Sequence, residues 1–174
     1  MEQIGFLGAY DKKDLLINVA TVLVSAGKSV LIVDATSVQR MRYVVPNIST
    51  NQSFSYVSEY AKIDVALGFM ALNNVAQYLR RNLDYDYILI DSDNPQTMNS
   101  FGIQGMKKIF FVTSYEQYDM LKGAELLRFV QMPIEVVKVI STTNMNDAED
   151  KLLNSKVTNS NIKWSNSRVE FSDL

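Results

Sequence analysis

Two lysines and two aspartates carry the clearest chemical potential in this sequence. Lys12 and Lys13 end a short polar stretch, Gly8-Ala9-Tyr10-Asp11-Lys12-Lys13, that follows an apolar run closing at Leu7. Asp34 and Asp91 each follow another apolar run, residues 30–33 and 87–90. A glycine-containing turn with ammonium groups can hold phosphate, because backbone N–H groups and cationic side chains together neutralise an anion. Two carboxylates at one strand edge can hold Mg²⁺ through water, since that ion takes oxygen ligands and keeps much of its hydration. Gly8, Lys12, Lys13, Asp34 and Asp91 are therefore the candidate binding residues, with Asp34 and Asp91 the candidate magnesium ligands. The bland alternative is that both acids cap neighbouring helices or pair with Lys12. The lysines would then be solvated charges before a helix, and Asp11 and Asp14 capping residues.

Compared with the phosphate-loop pattern G-x-x-x-x-G-K-[ST], the stretch lacks most of the parts. With Lys12 as the phosphate lysine, Phe6 and Asp11 stand at the two glycine positions and Lys13 where a hydroxyl should hold magnesium. Asp11 would set a carboxylate beside a polyphosphate, and like charges at ~4 Å cost on the order of 1 kcal/mol even in water.

The elements that position these residues read as a βαβ unit. Residues 4–7 and 30–33 are strands, and residues 14–26 a helix. Its Leu15, Val19, Val22, Leu23 and Ala26 recur at three- and four-residue spacing and should form the buried stripe. Gly27 should end it in a left-handed cap. The loop then lies at the carboxyl edge of a parallel sheet, where such folds bind ligands.

Later segments extend the pattern. Asn18, Gly27, Lys28 and Asp34, then YDYILIDSDNP (residues 85–95), then FFVTSYEQYDMLKGAELLRFV (residues 110–130), come in an order that resembles the ParA/MinD family of deviant phosphate-loop ATPases. The likeness covers roughly residues 4–140. Asp91 matches the family's magnesium-side position. Thr113 and Glu116 remain from its Thr-x-Pro-Glu turn, with Tyr115 replacing the proline. The resemblance implies a three-layer α/β sandwich with a mostly parallel central sheet, ATP and Mg²⁺ as cofactors, and a homodimer. Its signature lysine, which in active members reaches the partner's nucleotide, falls on Leu7, and the second acid of its D-x-D falls on Thr36. These departures leave a degraded site and point away from an enzyme. The nearest functional analogy is the TadZ/CpaE group, so the expected role is a structural, localisation or assembly factor acting through protein contacts with a secretion, pilus or positioning system. A weak but genuine ATP-hydrolysing switch is the alternative. A receiver-like signalling domain is a second, from the order Asp34, Asp91, Thr113, Lys138.

Composition bounds these readings. The chain has 174 residues, 47% hydrophobic and 21% charged, which suits one domain. A net charge of -2 without a basic cluster speaks against nucleic-acid partners. With no Cys and no His, thiol and imidazole chemistry are excluded. No secretory leader or apolar run near 18 residues is present, which reads as a cytoplasmic protein without a membrane segment.

The remaining chain is expected to supply a long connection over residues 37–60, either ordinary or a partner-responsive loop, with at most a short strand or turn at residues 41–45. A helix is expected over 63–83, closed by Arg80-Arg81 at its dipole's negative end, and another over 119–131 with Leu121, Ala124, Leu127 and Val130 inward. Strands are expected at 87–90, 109–112 and 136–140. Residues 146–174 are loosely patterned, with a short helix near 147–153, an edge strand at 162–164 or 168–171, and an end short of the family's full domain. Tyr10, Tyr43, Tyr56, Tyr60, Tyr115 and Tyr118 are expected at loops or element ends, where exposed tyrosines suit interfaces.

Overall fold

The apolar runs become the strands of one sheet. The computed structural model describes residues 1–46, 54–142 and 147–171. Its strands are β1 (Glu2–Leu7), β2 (Val30–Asp34), β3 (Tyr56–Tyr60), β4 (Ile63–Leu67), β5 (Tyr87–Ser92), β6 (Lys108–Ser114), β7 (Ile134–Ser141) and β8 (Ile162–Phe171). They are ordered β3-β4-β2-β5-β1-β6-β7-β8, parallel throughout except for β3 against β4. Central strands of such a sheet are covered on both faces, which is why β2 is apolar without alternation and buried at every position.

The helices are α1 (Lys13–Ser25), α2 (Leu72–Leu79), α3 (Pro95–Ser100), α4 (Gln117–Leu127) and α5 (Asp147–Lys156). Helix α1 and a 3₁₀ turn, Arg40–Tyr43, cover one face, bringing Leu16, Ala20 and Met41 onto Phe6, Ile32, Leu89 and Val112. The other four helices bury Val75, Met98, Met120, Leu127 and Leu153 against Leu31, Ile88, Ile90 and Phe111 on the opposite face. This is the expected three-layer α/β sandwich. Helix α1 ends as the sequence suggests. Gly27 has φ +82, Lys28 N–H donates to the Leu23 carbonyl at 3.0 Å and Gly27 N–H to that of Val24 at 2.9 Å, which closes the last turn's open carbonyls.

Several expectations are corrected. The segment 63–83 is not one helix: its first residues form β4, with β3 hydrogen-bonded beside it, and only Leu72–Leu79 is helical. Ile63-Asp64-Val65-Ala66-Leu67 offers apolar side chains to both faces, which suits a covered strand. The fully buried line of α1 is Leu16 and Ala20; Leu15, Val19 and Leu23 of the expected stripe pack partly buried beside it, while Val22 is 69% exposed. The small Ala20 lets the helix approach the sheet along that line and turns Val22 and Ala26 outward. In α4, Ala124 and Leu127 are inward as expected, but Met120 takes the place assigned to Leu121, which is 38% exposed. Of the strand or turn expected at residues 41–45, the structure has the turn, the 3₁₀ turn Arg40–Tyr43. Helix α3 was not anticipated. It is started by Asn94, whose Oδ1 accepts from Thr97 N–H at 3.0 Å, with Pro95 in the first turn. Residues 47–53 of the long connection, and 146 and 172–174 of the tail, lie outside the described residues.

The tail is more regular than its composition suggests. Both expected edge-strand fragments belong to β8, interrupted by a bulge: Val136 pairs with Trp164 and Lys138 with Arg168, so two steps along β7 match four along β8. The buried Lys138 fastens α5 to the sheet. Its ammonium donates to Asp150 at 3.1 Å and to Asn154, and lies 4.7 Å from the Trp164 ring centre.

Candidate functional site

The loop of residues 8–12 connects β1 to α1 at the carboxyl edge of the sheet. Gly8 (φ +135) makes the bend, and a Cβ there would lie 2.3 Å from the Val112 carbonyl oxygen, so no other residue lets the chain turn this close to β6. Lys12 then folds back over its own loop and is only 2% exposed. Its Nζ donates to the carbonyl oxygens of Gly8 and Tyr10, the latter at 3.1 Å, and lies 3.0 Å from Asp91 Oδ1. Two carbonyls accept from the ammonium and the carboxylate balances its charge, while Asp91 Oδ1 itself is buried without a hydrogen-bond partner.

Register brings the acids together. Asp91 of β5 pairs with Asp34 of β2 on one side and with Phe6 of β1 on the other. Asp91 is 4% exposed. Burial pushes its carboxyl up to about 7, against the pull of Lys12 and with further repulsion from Asp34. Asp34 uses both oxygens within its own turn: Oδ1 accepts from Thr36 N–H at 3.1 Å and the Thr36 hydroxyl at 2.6 Å, and Oδ2 from Met41 N–H at 3.1 Å. Lys13 opens the helix, with Nζ 3.9 Å from Asp14.

Three further residues complete the edge. Asp93 Oδ1 accepts from Ser37 N–H at 2.9 Å, tying the chain after β5 to the chain after β2. Asp11 Oδ1 accepts from Lys13 N–H at 3.1 Å, and its Oδ2 lies 3.5 Å from Arg40 Nε. Asp93 stood in the run IDSDNP and Asp11 in the loop, so both were visible in the sequence. Arg40 gave no signal, because its place depends on the 3₁₀ turn.

The cavity over the loop is about 50 Å³, lined by Lys12, Asp34 and Asp91 together with Asp11, Arg40 and Asp93. Sites for drug-sized ligands run from roughly 300 to 1,000 Å³. Among the described residues, no group of three or more Asp, Glu, His or Cys could hold a metal ion.

The receiver-like order does not become a receiver site. Lys138 is held by α5, and Thr113 donates to the Ser114 carbonyl, so neither joins Asp34 and Asp91. The strand order also differs from the 2-1-3-4-5 of receiver-like folds. The tyrosines divide. Tyr43, Tyr60 and Tyr118 are exposed, whereas Tyr56 is buried, with the Arg42 guanidinium 5.4 Å from its ring centre. Tyr115 is half-buried against the core, and Tyr10 donates to Ser141 Oγ at 3.1 Å. No helix among the described residues is long and apolar enough to cross a membrane.

No protein-family model matches the sequence, and no curated protein does. Solved structures share the fold. A ParA family ATPase from Chlorobium tepidum TLS matches with a TM-score of 0.63 at 13% identity, over 99% of this chain and 85% of that one. A plasmid partition protein from Borrelia burgdorferi B31, bound to AMPPNP, gives 0.54 at 12% identity over 99% and 87%. The MinD cell division protein of Aquifex aeolicus gives 0.55 at 12% identity over 100% and 83%. At these identities the likeness concerns the fold.

Proposed function

We propose that this chain, whose fold is ParA/MinD-like, keeps that architecture without its phosphate chemistry and acts as a structural, localisation or assembly factor through protein contacts. The observation that carries this reading is Lys12: it is buried, and two loop carbonyls and Asp91 surround its ammonium. A lysine placed this way neutralises Asp91 and braces the loop instead of meeting a phosphate. The cavity above it, about 50 Å³, is well below the roughly 300 Å³ at which sites for drug-sized ligands begin. Lys13 supplies no hydroxyl for magnesium, and Asp34 already serves its own turn. The residues at this edge therefore do not fit Mg²⁺ and ATP, and Gly8, Lys12, Lys13, Asp34 and Asp91 act as a structural set in one domain of residues 1–174. Partners are proteins, a second copy among them. A net charge of -2 supports the absence of nucleic acid from that set.

A nucleotide-binding switch is the competing reading, and the Borrelia structure bound to AMPPNP is what favours it. Titration calorimetry with ATP and ADP, each with and without Mg²⁺, decides between them on wild type and Lys12→Ala. The expected result is no heat of binding up to millimolar nucleotide. Micromolar binding that disappears in Lys12→Ala would establish the switch.

A further inference from the structure

We propose that the cleft between α5 and the bulge of β8 binds a small uncharged carboxamide, independently of whether nucleotide binds at the loop of residues 8–12. The cleft is about 510 Å³, within the roughly 300 to 1,000 Å³ of ligand sites. Its lining is Lys138, Asp150, Ser165, Asn166, Arg168 and Glu170, without one apolar side chain, so a ligand there is held by polar contacts. Register explains the space: Lys138 pairs with Arg168 and Ile140 with Glu170, while the bulge leaves residues 165–167 opposite Val137 alone. Among the described residues, three buried side-chain atoms have no hydrogen-bond partner, and two of them belong to this cleft. One is Glu170 Oε1, on the lining. The other is the Tyr115 hydroxyl, close enough for the charges of Asp150, Arg168 and Glu170 to act on it. Buried polar atoms are nearly always paired, so a donor and an acceptor left over at one polar cleft point to a ligand that answers both.

Charge decides the ligand's class. Lys138 spends its three protons on the two oxygens of Asp150, at 3.1 and 3.2 Å, and on Asn154. Arg168 lies between two acids, Nη1 3.3 Å from Asp150 Oδ2 and Nη2 3.2 Å from Glu170 Oε1. The charges of the lining therefore cancel. A cation brought to Glu170 would meet the guanidinium, and an anion brought to Tyr115 would meet Asp150 and Glu170. An uncharged group escapes both repulsions. Burial, and after it the charge of Asp150, raises the pKa of the Tyr115 phenol, so its hydroxyl keeps the proton it can donate. A carboxamide matches what is left: its carbonyl accepts from the Tyr115 hydroxyl, and its N–H donates to the Glu170 carboxylate.

The chain has one tryptophan, Trp164, whose ring centre is 4.7 Å from the Lys138 ammonium, so its fluorescence reports on this cleft. The test is fluorescence titration of the full chain with N-acetylglycinamide, which is uncharged, with N-acetylglycine, an anion, and with glycinamide, a cation. Wild type, Tyr115→Phe and Glu170→Gln are compared, with circular dichroism to establish folding. Tyr115→Phe removes only the hydroxyl and is the deciding variant if Glu170→Gln fails to fold. The expected result is saturable binding of N-acetylglycinamide in the millimolar range, weaker by at least about tenfold for either charged probe and in either variant. A capped Gly-Gln-Gly peptide separates the two sources of a carboxamide. Binding of either amide supports the proposal, and the tighter one tells a free small molecule from a side chain of another protein. No saturable change with either amide would overturn the proposal and leave both orphaned atoms to water. So would undiminished binding in folded Tyr115→Phe, or tighter binding of the anion or the cation. Nucleotide titration of the same protein addresses the loop of residues 8–12 separately.

Discussion

Asp91 is held between opposing influences. Burial raises its carboxyl to about 7, although Lys12 stands beside it, whereas the unfolded chain releases the same proton near pH 4. The native state therefore binds this proton more tightly than the unfolded state does. The stability contributed by protonated Asp91 is fully present below about pH 4 and is lost as the pH rises to about 7. Asp91→Asn should flatten the pH dependence of the melting temperature across that window, followed by thermal unfolding from pH 4 to 8. A variant that loses stability in parallel with wild type would place the dependence on another group. Residues of this kind were legible, because Asp34 and Asp91 lie in the ends of apolar strands and Lys12 closes the polar loop that follows another. Pairing of an acid with Lys12 was one of the alternatives the sequence offered, and Asp91 takes it; what holds Asp34 and turns Lys12 inward was not legible. Asp34 answers to the amide of Met41, seven residues on in a turn that periodicity does not reveal, and Lys12 turns inward because Gly8 and Tyr10 offer it carbonyls.

The β3–β4 hairpin shows why an element can escape sequence reading. Tyr60 and Ile63 face each other across Ala61-Lys62, and both turn residues have positive φ, +50 and +67. Two-residue turns of this geometry favour Asn-Gly, whose absence removes the usual hairpin signal. With a Cβ at each position the left-handed backbone costs roughly 1–2 kcal/mol per residue. Both side chains are exposed, so replacing them loses no packing. Ala61→Asn with Lys62→Gly should therefore stabilise the fold by about 1 kcal/mol, read as a higher urea midpoint at unchanged slope. An unchanged or lower midpoint would mean that the turn is not strained. Where residue chemistry and burial agree, as in β2, β5 and the Gly27 end of α1, the elements were readable. The start of the 63–83 segment misled because Val65, Leu72 and Val75 also suit a helical repeat.

At the scale of the whole molecule, the alternation of apolar runs with helical stretches indicated the layers but not the order of strands within them. That β1 lies between β5 and β6, and β2 between β4 and β5, depends on crossovers that local patterns do not encode. The order also places β8 at one margin of the sheet, paired with β7 alone among the described residues. A ten-residue margin of this kind presents a row of backbone donors and acceptors to any other chain. The bulge between Trp164 and Arg168 breaks that row, so a neighbouring molecule finds no continuous ladder on which to add a strand. Deleting Asn166 and Ser167 would straighten the margin, and light scattering of the concentrated variant should then rise where wild type stays clear. If the straightened protein stays equally clear, the charges of Lys163, Arg168 and Glu170 suffice as the guard. Should the shortened variant scatter where wild type does not, two residues that look like slack in a polar tail are what keeps this margin from joining its own copies.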